Sequence, residues 1–125
     1  MRYKRQMKNA KKTKTEMMKK VYALYPVYDS RQSFYNKALV YEDDDIIILY
    51  SYLQAVLVID KKTNKYCLNS EIEYDELLSN TTLRHIKELL KQKNISDDFN
   101  KKKYDNFIYS NKKLDSYDPS LQRLF

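Results

Sequence analysis

Glycine is missing from all 125 residues of this chain. Phosphate-cradling loops, dinucleotide fingerprints and nucleophile elbows need glycine, because the backbone there takes positive φ or approaches a ligand with no Cβ in the way. Nucleotide-binding enzymes of those kinds are excluded. One histidine, His85, and one cysteine, Cys67, leave too few ligands for a structural zinc site of the usual kinds. A lone cysteine forms no internal disulfide, which suits a reducing compartment. No stretch approaches the roughly 20 consecutive apolar residues of a membrane helix, and no apolar segment follows the N-terminal bases to make a secretory signal. A soluble cytoplasmic protein without membrane contact, metal or cofactor is expected.

What the chain has in excess is positive charge, and it is concentrated at one end. Arg2, Lys4, Arg5, Lys8, Lys11, Lys12, Lys14, Lys19 and Lys20 face only Glu16 in the first 20 residues, a net +8, whereas residues 21–125 hold 15 bases and 16 acids. Such density attracts a polyanion or an acidic protein groove. Lysine far outnumbers arginine, and Tyr, Asn and Ile abound, a bias that fits an AT-rich genome. Residues 1–21 are rich in helix formers and carry a thin apolar stripe (Met7, Ala10, Met17, Met18, Val21), which predicts a basic amphipathic helical arm. Residues 22–37, with Tyr22, Tyr25, Tyr28 and the helix-breaking Pro26, read as an aromatic linker lying against the domain. Residues 38–125 read as a single domain.

Within that domain the pattern switches from strand to helix. Ala38–Tyr41, Ile46–Tyr52, Ala55–Asp60 and Lys65–Leu68 carry β-branched and aromatic residues between polar turns, predicting a four-stranded antiparallel meander. Asn64 supplies the left-handed residue that glycine would otherwise provide. Ile46–Leu49 is apolar on both faces and so belongs to a central, covered strand. Asn80 is the expected N-cap of a helix over 81–93, with Leu83, Ile86, Leu89 and Leu90 inward and Arg84, His85, Lys87, Glu88 and Lys91 mostly outward. A second helix is expected to start at Ser96-Asp97-Asp98 and a short last one at Asp118-Pro119. The fold class is α+β, a small meander packed by C-terminal helices and preceded by the basic arm.

Ser33-Phe34-Tyr35-Asn36-Lys37-Ala38, Leu49-Tyr50-Ser51-Tyr52 with Val56, and Thr81-Thr82-Leu83-Arg84-His85-Ile86-Lys87-Glu88 together resemble an uncharacterised family of small proteins. Its members come from phages and other mobile elements of low-GC Gram-positive bacteria. The resemblance spans roughly residues 33–92. The family pattern has glycine at Asn36, and asparagine and threonine at Leu53 and Gln54. It carries over no catalytic residue. What it implies is context: an accessory gene of a mobile element acting in a bacterial host cytoplasm, where defence inhibitors such as anti-CRISPR proteins are frequent. It also marks Tyr50, Tyr52, Thr82, Arg84 and His85 as a possible interface.

Four constellations are weighed for chemistry. Glu42-Asp43-Asp44-Asp45 reads as a solvated hairpin turn rather than a cation site, since a calcium loop spreads its ligands over a dozen positions around a glycine. Asp45 with Asp60-Lys61-Lys62 imitates the acid, acid-x-lysine spacing of a metal-dependent nuclease, but at an expected turn. His85 has no nucleophile near it in sequence and is expected on a polar helix face. Tyr50, Tyr52 and Tyr66 on strands are candidates for base stacking. The expectation is a non-enzymatic protein, first an inhibitor of a host defence system that binds a nuclease effector or its guide RNA. The alternative is a nucleic-acid-binding regulator whose N-terminal bases hold phosphates, and a nuclease ranks third.

Overall fold

Turn chemistry without glycine decides where this sheet folds back on itself. The computed structural model describes residues 20–30 and 34–125, so the N-terminal bases from Arg2 to Lys19 lie outside the described residues. At the first hairpin the Asp43 carboxylate accepts from the backbone N–H groups of Asp45 and Ile46, at 2.8 and 2.9 Å. A side chain thereby does what a glycine turn would do. Asn64 turns the third hairpin at φ 57°, and Asn36, Asn94 and Asn111 take the same left-handed conformation elsewhere. Asparagine tolerates it better than most residues. The middle hairpin is different, because Tyr52 and Leu53 occupy positive φ, 51° and 69°, in the two-residue geometry that asparagine and glycine normally fill.

These turns join β2 (Ala38–Glu42), β3 (Ile46–Ser51), β4 (Gln54–Asp60) and β5 (Lys65–Leu68), the meander the alternation predicts. A fifth strand, β1 (Val21–Ala23), pairs antiparallel with β2, and the order is β1-β2-β3-β4-β5. Four strands were expected. β1 escapes pattern reading because three residues show no period, and it lies in the stretch expected to link arm and domain. A bulge near Tyr50 lets Val56 and Leu57 both turn into the core.

Among the described residues three helices cover one face of the sheet: α1 (Tyr74–Leu77), α2 (Asn80–Gln92) and α3 (Lys101–Ser110). Val40, Leu49, Leu57, Ile59 and Leu68 meet Ile86, Leu89, Leu90, Phe99 and Tyr104 there. Full burial of each such side chain stabilises by about 1.5–3 kcal/mol. The other face, with Ile46, Ile48, Val58 and Cys67, is packed by Leu121 and the partly buried Tyr117, Leu124 and Phe125 around a 3₁₀ helix, Pro119–Leu124. That two-sided cover explains the continuous Ile46–Leu49 run. The architecture is an α+β fold built on an antiparallel open sheet.

Two helix starts differ from expectation. Ser79 rather than Asn80 caps α2, its hydroxyl accepting from the Thr82 N–H. Asn100 rather than Ser96 caps α3, accepting from the Lys103 N–H at 2.9 Å. Phe99 is 2 % exposed, and driving its ring into the core uses residues 96–99 as a turn before the helix can begin. Among the described residues no helix is long and apolar enough to cross a membrane.

Candidate functional site

Helix α2 carries the site. Its apolar stripe faces the sheet, but its polar side is not one solvated face. His85 and Glu88 are 0 % and 2 % exposed, and Thr82 is buried with them. The expectation that His85 and Glu88 point outward is therefore corrected. The cause is the connection between β1 and β2, which lies along the helix flank. Phe34 packs edge-on against the His85 ring, centroids 4.7 Å apart. The Glu88 carboxylate accepts from the backbone N–H groups of Val27 and Tyr28, at 2.9 and 3.1 Å, and from Gln92. Gln92 also donates to the Tyr25 carbonyl at 2.8 Å. With one flank on the sheet and one under this strap, the polar strip left to α2 is Arg84, Lys87 and Lys91, spaced to share a face.

Below the strap, Ser51 at the end of β3 stands 2.8 Å from His85 Nδ1 and 2.9 Å from the Thr82 hydroxyl. Ser51 stands in the family-like Leu49–Tyr52 segment, but sequence reasoning does not single it out as a site residue, since it lies 34 residues from His85. Its inward register on β3, two residues beyond Leu49, is the signal that would have found it. A hydroxyl on an imidazole is the raw material of nucleophilic catalysis. Here Ser51 is 1 % exposed and His85 fully covered, so no substrate carbonyl reaches the oxygen. The cluster satisfies buried polar groups and pins the end of β3 to α2.

The strip and the strap enclose a cleft of about 270 Å³ lined by Tyr28, Asp29, Arg84, Lys87, Glu88 and Lys91. Lys91 Nζ lies 5.7 Å from the centre of the Tyr28 ring, within cation–π range. Arg84 and Lys87 make no ion pair among the described residues. Glu88, whose oxygens accept from strap amides and Gln92, makes no ion pair with either of them. The cleft therefore sets three cations and an aromatic ring beside two carboxylates, Asp29 and Glu88, which leaves positive charge in excess for an anionic ligand.

Exposed rings continue that surface. Tyr25, Tyr28 and Tyr52 are 70 %, 60 % and 52 % exposed, and the Lys37 ammonium stands 6.0 Å from the Tyr52 ring. Of the residues marked as an interface in sequence, Arg84 and Tyr52 stay at the surface. Thr82 and His85 do not, and Tyr50 packs half-buried on the opposite face of the sheet. Tyr66, a stacking candidate, is fully buried between Phe99 and Tyr117. Lys20, the one N-terminal base that is described, sits where β1 begins and accepts the Glu42 N–H on its carbonyl.

The acidic turn is structural. Glu42 is bridged by Lys61 at 2.9 Å and Lys93 at 3.1 Å, Asp45 faces Lys62 at 3.6 Å, and Asp60 accepts the Lys62 N–H within its own turn. Burial opposes ionisation of Glu42, but hydrogen bonds from Lys61, Tyr22 and Lys93 outweigh it and hold its carboxyl below the ordinary range. Among the described residues no group of three or more metal-ligating side chains converges.

Residues 22–106 match the profile of a family of unknown function, DUF8033. No curated protein and no solved structure matches the chain.

Proposed function

The chain belongs to DUF8033, a family of unknown function, and on that premise we propose that it is a non-enzymatic nucleic-acid-binding protein of the cytoplasm. The observation that carries this reading is the cleft where Arg84, Lys87 and Lys91 meet Tyr28 with no carboxylate paired to Arg84 or Lys87. Asp29 and the strap-bound Glu88 line the same cleft, but neither makes an ion pair with Arg84 or Lys87 among the described residues, so a phosphate can give both cations charge-assisted hydrogen bonds. The N-terminal bases Arg2, Lys4, Arg5, Lys8, Lys11, Lys12, Lys14, Lys19 and Lys20 add a sequence-independent electrostatic grip.

Affinity of the full chain for nucleic acid as a function of salt tests this. Each phosphate neutralised adds about 0.9 to the logarithmic salt slope on duplex and about 0.7 on single strands. Replacing Arg84 and Lys87 together by glutamine is expected to lower that slope by one to two and weaken binding about tenfold or more. An unchanged slope would remove the cleft from the reading.

A second reading has its own observation. Val27 and Leu53 are 70 % and 81 % exposed, and apolar side chains at such tips suit a protein surface more than a phosphate backbone. An inhibitor of a host defence system, carried by a phage or mobile element and docked on a nuclease effector, would use them. Recovery of one stoichiometric nuclease complex from a bacterial host at moderate salt, resistant to RNase, supports that reading. Recovery of bulk nucleic acid alone supports the first.

A further inference from the structure

We infer that the ligand of this surface is single-stranded nucleic acid, with Tyr28 as a platform on which an unpaired base stacks while Arg84 and Lys87 hold its flanking phosphates. The inference rests on the nucleic-acid reading above and narrows it to one kind of substrate.

The backbone of Tyr28 is among the best-anchored parts of the strap, since its N–H and that of Val27 both end on the buried Glu88 carboxylate. Its ring nevertheless keeps 60 % of its surface in solvent. A fixed backbone presenting an open ring loses little entropy when a flat partner arrives. Three residues upstream Tyr25 repeats the arrangement: Gln92 binds its carbonyl, Pro26 stiffens the next peptide, and the ring is 70 % exposed. Tyr28 thus presents an open ring within the row of cations, and Tyr25 a second exposed ring on the same strap.

A duplex makes poor use of such a surface. Its bases stack on one another, so tyrosine rings beside the backbone gain little, and its affinity would come from charge alone. An unpaired strand offers phosphates and free base faces together, the combination met by basic grooves with interleaved aromatics. The row fits one strand in size as well. At 1.5 Å rise per residue, Arg84 to Lys91 spans about 10 Å, a few nucleotides of backbone rather than the breadth of a double helix. Lys91 beside the Tyr28 ring adds positive charge where base and phosphate meet.

The test is fluorescence anisotropy of the full chain, at one moderate salt concentration, with labelled oligothymidylate, oligouridylate and a DNA duplex, each of about 16 nucleotides or base pairs. Both single strands are expected to bind more tightly than the duplex, and the two arms show whether a 2′-hydroxyl matters. Tyr28→Ala is expected to weaken single-strand binding about tenfold, the effect of one lost stacking contact, and duplex binding far less. Tyr28→Phe keeps a ring and is expected to restore single-strand affinity. Equal affinity for strand and duplex, or an equal loss on both with Tyr28→Ala, overturns the stacking inference and leaves the polyanion reading standing. Failure to bind any of the three, at that salt and on repetition at low salt, overturns both.

Discussion

The Glu88 carboxylate and the Tyr28 backbone N–H, 60 residues apart in sequence, are hydrogen-bonded at 3.1 Å. That bond, its neighbour to Val27 and the one Gln92 donates to the Tyr25 carbonyl hold the strap on α2. Glu88→Ala leaves both amides without their acceptor and is expected to destabilise the fold by about 1–3 kcal/mol. Glu88→Gln keeps one acceptor oxygen and should cost less. Urea unfolding checks both, and equal stability of all three proteins would refute the strap's role.

Ser51 ties His85 and Thr82 together inside the protein, so its value lies in satisfying buried polar atoms. Ser51→Ala is expected to lower stability by about 1–3 kcal/mol. The intact protein is expected to form no adduct with a serine-directed fluorophosphonate, because the hydroxyl is sealed from solvent. A covalent adduct at Ser51, read by mass spectrometry, would mean that the cluster opens and that a catalytic reading has to be reconsidered.

Acid should weaken the corner where β1, β2 and α2 meet. Glu42 is depressed below its ordinary range when folded, so the folded state holds fewer protons than the unfolded one. Its contribution is complete above the unfolded carboxyl range and is lost as pH falls through the folded value. The group is partly exposed, so about 1 kcal/mol or less is at stake. Glu42→Gln is expected to flatten the acid limb of a stability-against-pH curve as pH falls below the ordinary glutamate range. An unaltered limb would assign acid sensitivity to other carboxylates.

The Tyr52-Leu53 turn holds two side chains in a conformation that costs an ordinary residue about 1–2 kcal/mol. Leu53→Gly removes that cost at one position, less about 0.5–1 kcal/mol of added backbone entropy. A net gain of about 0.5–1 kcal/mol in thermal unfolding is expected, since Leu53 is 81 % exposed and loses little packing. A loss of stability would show that the leucine side chain is itself a contact of the fold.

The meander was legible because its hydrophobic alternation and turn residues agree; Asn64, the acidic turn and the two-sided Ile46–Leu49 run all behave as read. β1 was not, since a three-residue strand depends on its partner rather than on its own pattern. The largest miss lies on α2. Helical periodicity assigned His85 and Glu88 to solvent by their polarity, yet the strap covers that flank and supplies each with partners. A polar residue on a helix face is read correctly only when every neighbour of the face is known. Arg84 stood in the expected interface, while Lys87, Lys91 and Tyr28 joined it only through tertiary structure.

Each strand in the sheet is hydrogen-bonded to the strand before it in the chain. Three of the four connections are short turns, so pairing them requires the chain to search only a small volume, and the entropy of closing such loops is low. Rapid assembly through local contacts is the expected consequence. The contacts that span long stretches of sequence, Glu88 to the strap and Leu121 onto the sheet, then settle on a scaffold already in register. When the native protein breathes, those late arrivals are expected to detach first and to exchange their amide hydrogens soonest, while the centre of the sheet stays closed.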